Sequence, residues 1–115
     1  MAYWFPVLNA RAVENKIFQA LADPSRRAIF ESLTRGEAAV KDLTARFHIS
    51  QPAVSQHLAT LKDARLVNGR RKGRCVYYRV NPRGMQPLID WMAHYRAFWT
   101  ERMDRLEQLL EKMEP

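Results

Sequence analysis

SQPAVSQHLATLK, residues 50–62, is polar in composition, yet Val54, Leu58 and Leu61 recur in it at i, i+4 and i+7. That spacing is one stripe of an α-helix. Ser50 is placed to cap its start, accepting a hydrogen bond from a free N–H of the first turn. Pro52 then falls within that turn, where a missing N–H costs little. Gln51, Ser55, Gln56, Ala59 and Lys62 lie off the stripe. The result is a helix with a narrow apolar stripe and a broad face of hydroxyls and amides. Such a face can be ordinary solvated surface. It also has the length and chemistry to read base edges and hold phosphates.

The charge distribution decides between these two readings. The chain has 115 residues, 19 basic and 12 acidic, for a net charge of +7. Residues 62–83 contain Lys62, Arg65, Arg70, Arg71, Lys72, Arg74, Arg79 and Arg83 against the single acid Asp63. The whole excess therefore sits directly after the polar helix, and the rest of the chain is balanced. Evenly spread charge serves solubility, whereas a basic block beside a Ser/Gln-rich helix points to a polyanion.

Upstream, Val13, Ile17, Phe18 and Leu21 mark a first helix. Asp23-Pro24 opens a second, Asp as N-cap and Pro at the first helical position, with Ile29, Phe30 and Leu33 on its buried side and Gly36 at its end. A third helix is expected over about 38–46, with Val40, Leu43 and Phe47 on one side. His48-Ile49-Ser50 then joins it to the quoted helix, and two short helices so joined form a helix-turn-helix. His48 takes the turn position where glycine is common, and histidine tolerates a left-handed backbone better than most residues. The first ten residues, MAYWFPVLNA, are rich in aromatics. Tyr3, Trp4 and Phe5 are expected to dock on the body or on a partner subunit.

Downstream, Val67, Val76, Tyr77, Tyr78 and Val80 are strand formers around Asn68-Gly69-Arg70-Arg71-Lys72-Gly73-Arg74. This reads as a β-hairpin with a basic tip. Cations also keep an edge strand soluble, but four at one tip suit a wing lying along a phosphate backbone. From Leu88 to Met113 one long helix is expected, with Trp91, Met92, Tyr95, Trp99, Leu106, Leu109 and Leu110 on its stripe. It offers more apolar surface than a chain of this size readily covers, so we read it as a dimer helix; packing on its own domain is the other possibility. The fold class is mainly α with a small β-hairpin in one domain over 1–115, the helix-turn-helix at about 38–65, the wing at about 67–80 and a dimerisation helix at about 87–113.

The order of elements, with LADPSRRAIFESL at 21–33, DLTARFHISQPAVSQHLATLKDARLV at 42–67 and GRRKGRCVYYRV at 69–80, resembles an ArsR-type winged helix-turn-helix regulator over nearly the whole chain. The tail YRAFWTERMDRLEQLL resembles a subgroup with a long aromatic C-terminal helix. The resemblance implies a homodimeric repressor, paired through its N- and C-terminal helices, that binds double-stranded DNA at a palindromic operator. Carried onto this sequence, Ser50, Gln51, Ser55, Gln56 and His57 are the expected recognition-helix contacts, with Lys62 following. Arg70, Arg71, Lys72 and Arg74 are the expected wing contacts. Trp91, Tyr95, Trp99, Leu106 and Leu109 are the expected dimer interface. His57 borders the buried stripe and is half structural on this reading.

One departure matters. Metal-sensing members carry Cys-x-Cys in the helix before the turn, and here that segment reads EAAVKDL, without cysteine. Asp90 and His94 share a helix face, but no second histidine on that helix completes a set of zinc ligands. No metal and no cofactor are expected. Cys75 is alone, which excludes an internal disulfide and fits a reducing cytoplasm. No run approaches the roughly 18–20 apolar residues of a membrane span, and the start lacks the basic lead of a signal peptide. An enzyme is not expected: Ser55 and His57, two apart on a helix, do not face each other, and no phosphate-cradling glycine loop, HExxH or GxSxG is present. An architectural DNA-binding protein without an effector, or a protein-interaction module, are the competing readings. The effector itself is unknown from sequence.

Overall fold

The computed structural model describes residues 12–113; the aromatic triplet Tyr3, Trp4 and Phe5 lies outside the described residues. Helices α1 (Ala12–Ala22) and α2 (Pro24–Leu33) lead to a short strand β1 (Ala38–Ala39). Helices α3 (Val40–Phe47) and α4 (Gln51–Asp63) follow, then strands β2 (Val67–Lys72) and β3 (Cys75–Val80). A 3₁₀ turn (Pro82–Met85) leads into α5 (Gln86–His94) and α6 (Arg96–Met113).

Each helix start is set locally. Asp23 Oδ1 accepts the Arg26 N–H at 2.9 Å and Ser50 Oγ accepts the Ala53 N–H at 3.3 Å, so both expected N-caps are made. The Arg26 N–H holds the Asp23 carboxyl below its usual value, aided by the nearby His57 and Arg26 and opposed by desolvation. At α3, Asp42 Oδ2 reaches back to accept the Ala39 N–H at 3.0 Å. His48 closes α3 in the left-handed region, φ 54° and ψ 36°, as expected for a residue standing where glycine is common.

The core is apolar throughout. Ile17, Ile29, Leu43, Val54, Leu58, Leu61, Leu66 and Val67 are fully enclosed, and no polar side chain is buried among the described residues. All three stripe residues of α4 lie in this cluster, with Val40, Phe47 and Ile49 packed around them. That wedge of α3 and α4 side chains sets the position of α4 on the body.

Four expectations change. The third helix starts at Val40 rather than Ala38, because Ala38 and Ala39 pair with Tyr78 and Tyr77 of β3 as a third antiparallel strand, order β1-β3-β2. The wing keeps its expected span, but its strands are longer and its turn shorter than the sequence suggests. β2 runs to Lys72, and only Gly73 and Arg74 lie between the paired Lys72 and Cys75. Gly73 has φ +64°, the positive angle required of the first residue in a two-residue turn of type II′. Gly69 is a strand residue, not a turn residue: a Cβ there would lie 3.0 Å from the Tyr78 ring opposite. On α1, Ile17 and Ala20 enter the core, while Val13 and Phe18 stay exposed and Phe18 meets Trp91 instead.

The fourth change is in the long C-terminal helix, which is divided at Tyr95 (φ −107°, ψ 11°). The Tyr95 N–H bonds the Met92 carbonyl at 3.1 Å, a tightened last turn. Neither proline nor glycine marks the break. It falls where packing on the body stops: Trp91 and Tyr95 are half-buried, and every described residue from Arg96 onward is exposed.

Candidate nucleic-acid interface

α4 divides its residues cleanly. Its inner stripe is sealed, and Gln51, Ser55, Gln56, Ala59 and Lys62 are exposed on the outside. Ser50 is exposed as well, its oxygen accepting the cap bond, so its hydroxyl proton stays free to donate to a phosphate. His57 behaves differently from its neighbours. It is half-buried, its Nδ1 is shut off from solvent without a hydrogen-bond partner, and it adds to the electrostatic stabilisation of the Asp23 carboxylate on the α2 cap. The half-structural reading of this residue fits that position.

The C-terminus of α4 ends in a Schellman motif. Arg65 adopts φ +63°, its N–H bonds the Lys62 carbonyl at 2.9 Å, and the Leu66 N–H bonds the Leu61 carbonyl at 2.9 Å. Leu66 and Val67 are both enclosed in the core, so the wing starts from a fixed base immediately after the helix. Asn81 ties the far end of the wing to the same place. Its N–H bonds the Leu66 carbonyl at 2.9 Å and its Nδ2 bonds the Arg65 carbonyl at 3.0 Å.

Along the wing, side chains alternate between faces. Val67, Gly69 and Arg71 share one face, opposite Val80, Tyr78 and Val76. Asn68, Arg70 and Lys72 share the other, opposite Arg79, Tyr77 and Cys75. The four expected cations are all exposed but not equivalent. Arg70 Nη2 is bound by Glu37 Oε1 at 3.0 Å. Arg71, Lys72 and Arg74 make no ion pair among the described residues. The Glu37 contact spans 33 positions, so nothing local in the sequence announces it.

The expected dimer residues lie apart from this face in the chain, on α5 and α6. Trp91 packs edge-on against Phe18 at 5.3 Å and at a tilt against Tyr95 at 5.3 Å. Trp99, Leu106 and Leu109 stay 52%, 46% and 55% exposed. Asp90 accepts from Gln86 Nε2 at 2.8 Å, and His94 stacks edge-on with Tyr95. No group of three potential metal ligands is gathered among the described residues. Cys75 is a free, half-buried thiol. No helix among the described residues is long and apolar enough to cross a membrane.

A helix-turn-helix with a packed inner face, a polar outer face and an adjoining three-stranded sheet is a winged helix-turn-helix, the architecture of a DNA-binding regulator. The pattern of the bacterial regulatory protein, arsR family, matches residues 23–69. The chain is 38% identical over 81 residues to the transcriptional repressor SdpR of Bacillus subtilis, covering 70% of this chain and 90% of that one. It is 41% identical over 97 residues to the HTH-type transcriptional regulator Rv2034 of Mycobacterium tuberculosis, covering 84% and 88%. An ArsR-like transcriptional regulator from Rhodococcus sp. RHA1 superposes with a TM-score of 0.70 at 26% identity, over 88% of this chain and 95% of that one. The protein belongs to the ArsR family of winged helix-turn-helix transcriptional regulators. This is a family of DNA-binding regulators, not of enzymes.

Proposed function

We propose that the protein is a cytoplasmic homodimeric repressor that binds a palindromic operator in double-stranded DNA. α4 lies in the major groove, with Gln51, Ser55 and Gln56 toward base edges and Ser50 and Lys62 toward phosphates. Arg71, Lys72 and Arg74 carry the wing along the backbone, with Arg70 shared between DNA and Glu37. His57 supports α4 from its inner edge. Two copies pair through α6 and the exposed end of α5, which sets half-sites about one helical turn apart. No metal takes part.

The observation that carries this reading is the outer face of α4. Its inner side chains are fully enclosed while its amides and hydroxyls stand exposed, and Arg71, Lys72 and Arg74 on the wing that follows make no ion pair among the described residues. Glutamine can bond adenine through two contacts, and cations on phosphate release counterions. The test is binding to the protein's own upstream DNA and to random DNA across a salt series, with and without chelator. Tight, palindrome-dependent binding indifferent to chelator is expected. Equal binding to both DNAs would reduce the role to an architectural one, and no binding to either would turn the reading toward a protein partner.

A further inference from the structure

The end of α4 and both legs of the wing meet at one point. The outgoing strand starts from Leu66 and Val67, enclosed in the core directly after the left-handed Arg65. The returning strand leads into Asn81, whose N–H donates to the Leu66 carbonyl at 2.9 Å and whose Nδ2 donates to the Arg65 carbonyl at 3.0 Å. Asn81 stands at the N-cap of the 3₁₀ turn, where an asparagine side chain normally accepts from the N–H groups of that turn. Its side chain makes no such cap bond. The amide instead donates across 16 positions to the residue that ends α4. The bond acts at the base of a lever. Lys72 ends the six-residue strand that starts at Val67, so it stands roughly 17 Å out at about 3.3 Å per residue. A rotation of about 10° at the base moves that position by about 3 Å, a whole hydrogen-bond length. Core packing of Tyr78 and Val80 and pairing with Ala38 and Ala39 hold β3 to the body and to the residues before α3. The Asn81 bonds tie the same leg to the end of α4 itself.

We propose that Asn81 is a positioning residue for DNA binding. Its two bonds fix the wing at one angle to α4, so that Arg71, Lys72 and Arg74 reach the phosphate backbone while Gln51, Ser55 and Gln56 are in the groove. This role rests on the DNA-binding reading above. Without the side-chain bond the protomer keeps its core, because Asn81 is only half-buried and its main-chain bond remains. The wing then hinges on its outgoing leg. Its phosphate contacts are made only part of the time, while those of α4 persist.

The test is a salt series of binding to the protein's own upstream DNA, read by fluorescence anisotropy. It compares the native chain, Asn81→Ala and Asn81→Asp, each with and without Arg71→Ala. Asp keeps the shape of the side chain but has an acceptor in place of the donor. Both Asn81 variants should stay folded by circular dichroism and bind about tenfold more weakly, with a salt slope lower by about two as two phosphate contacts of the wing are lost. Arg71→Ala should cost the native chain about fourfold and either Asn81 variant less than about twofold, because residues that act together are not additive. A purely structural role gives another pattern: weaker binding through a smaller folded fraction, with the native salt slope and an undiminished Arg71→Ala effect. That pattern, unchanged affinity in both variants, or loss of folding in both would overturn the positioning role while the DNA-binding reading stands. No binding by the native chain would remove the DNA-binding reading, and the positioning role with it.

Discussion

Gly84 lies directly beneath the backbone carbonyl of Arg65: a Cβ on Gly84 would fall 1.5 Å from that oxygen. The contact joins the left-handed residue that ends α4 to the turn that begins α5, and Asn81 Nδ2 bonds the same oxygen at 3.0 Å. Arg65 keeps a backbone conformation that costs a non-glycine residue about 1–2 kcal/mol, and the packing of Leu66 with the two Asn81 bonds holds it there. Because the obstacle is main chain, no rotamer change relieves it. Gly84→Ala is expected to destabilise the fold by about 2 kcal/mol or more, seen as a lower urea midpoint. An unchanged midpoint would mean the turn shifts freely.

Asp23 and the start of α2 give a pH signature. Its folded carboxyl value lies below the ordinary 3.8, mainly through the Arg26 N–H bond. The unfolded state therefore binds the proton more tightly, and the stabilisation is complete above the unfolded value and lost as pH falls through the folded one. Asp23→Asn keeps a capping oxygen but removes the charge. Melting temperatures measured from pH 5 to pH 2.5 should show the native chain and the variant converging at the acid end. A constant gap would break this link.

Arg71 and Gln56 separate affinity from specificity. Arg71→Ala should weaken binding to all DNA and lower the salt slope by about one. Gln56→Ala should chiefly relax base preference, costing about 1–3 kcal/mol on the operator and little on random sequence. Equal losses on both DNAs for Gln56→Ala would remove it from the set of base contacts.

Glu37 stands against the wing as a fixed negative charge 3.0 Å from Arg70. The pair is exposed, so its worth to stability is under about 1 kcal/mol. Glu37→Gln should leave the melting temperature nearly unchanged while strengthening DNA binding about two- to fivefold at low salt, because Arg70 becomes available and a repulsive charge disappears. Unaltered affinity in a mobility-shift titration would place Arg70 off the DNA.

Leu106 is the clean probe of pairing. Trp91 packs on Phe18 and Tyr95 within its own chain, so a charge there would damage the protomer as well. Every described residue of α6 is exposed, and Leu106 is 46% exposed. Leu106→Glu should shift the dimer to a folded monomer in sedimentation. An intact dimer would take α6 out of the interface.

Much of this protein follows from neighbours a few residues apart. Val54, Leu58 and Leu61 face inward because 3.6 residues make a turn, and that alone puts Gln51, Ser55 and Gln56 outside. Ser50 and Asp23 cap their helices through bonds spanning three residues, and His48 enters the left-handed region as the residue that ends α3. The concentration of charge at 62–83 is likewise written in the chain itself. What the sequence could not reveal depends on groups brought together from far apart. Ala38 and Ala39 become a strand only because β3 offers its open edge, and Glu37 finds Arg70 only once that sheet exists. That position 84 must be glycine shows only once the Arg65 carbonyl stands over it. The break at Tyr95 has no local signal either; it falls where contact with α1 ends, and tertiary packing decides how far a helix stays attached to the body.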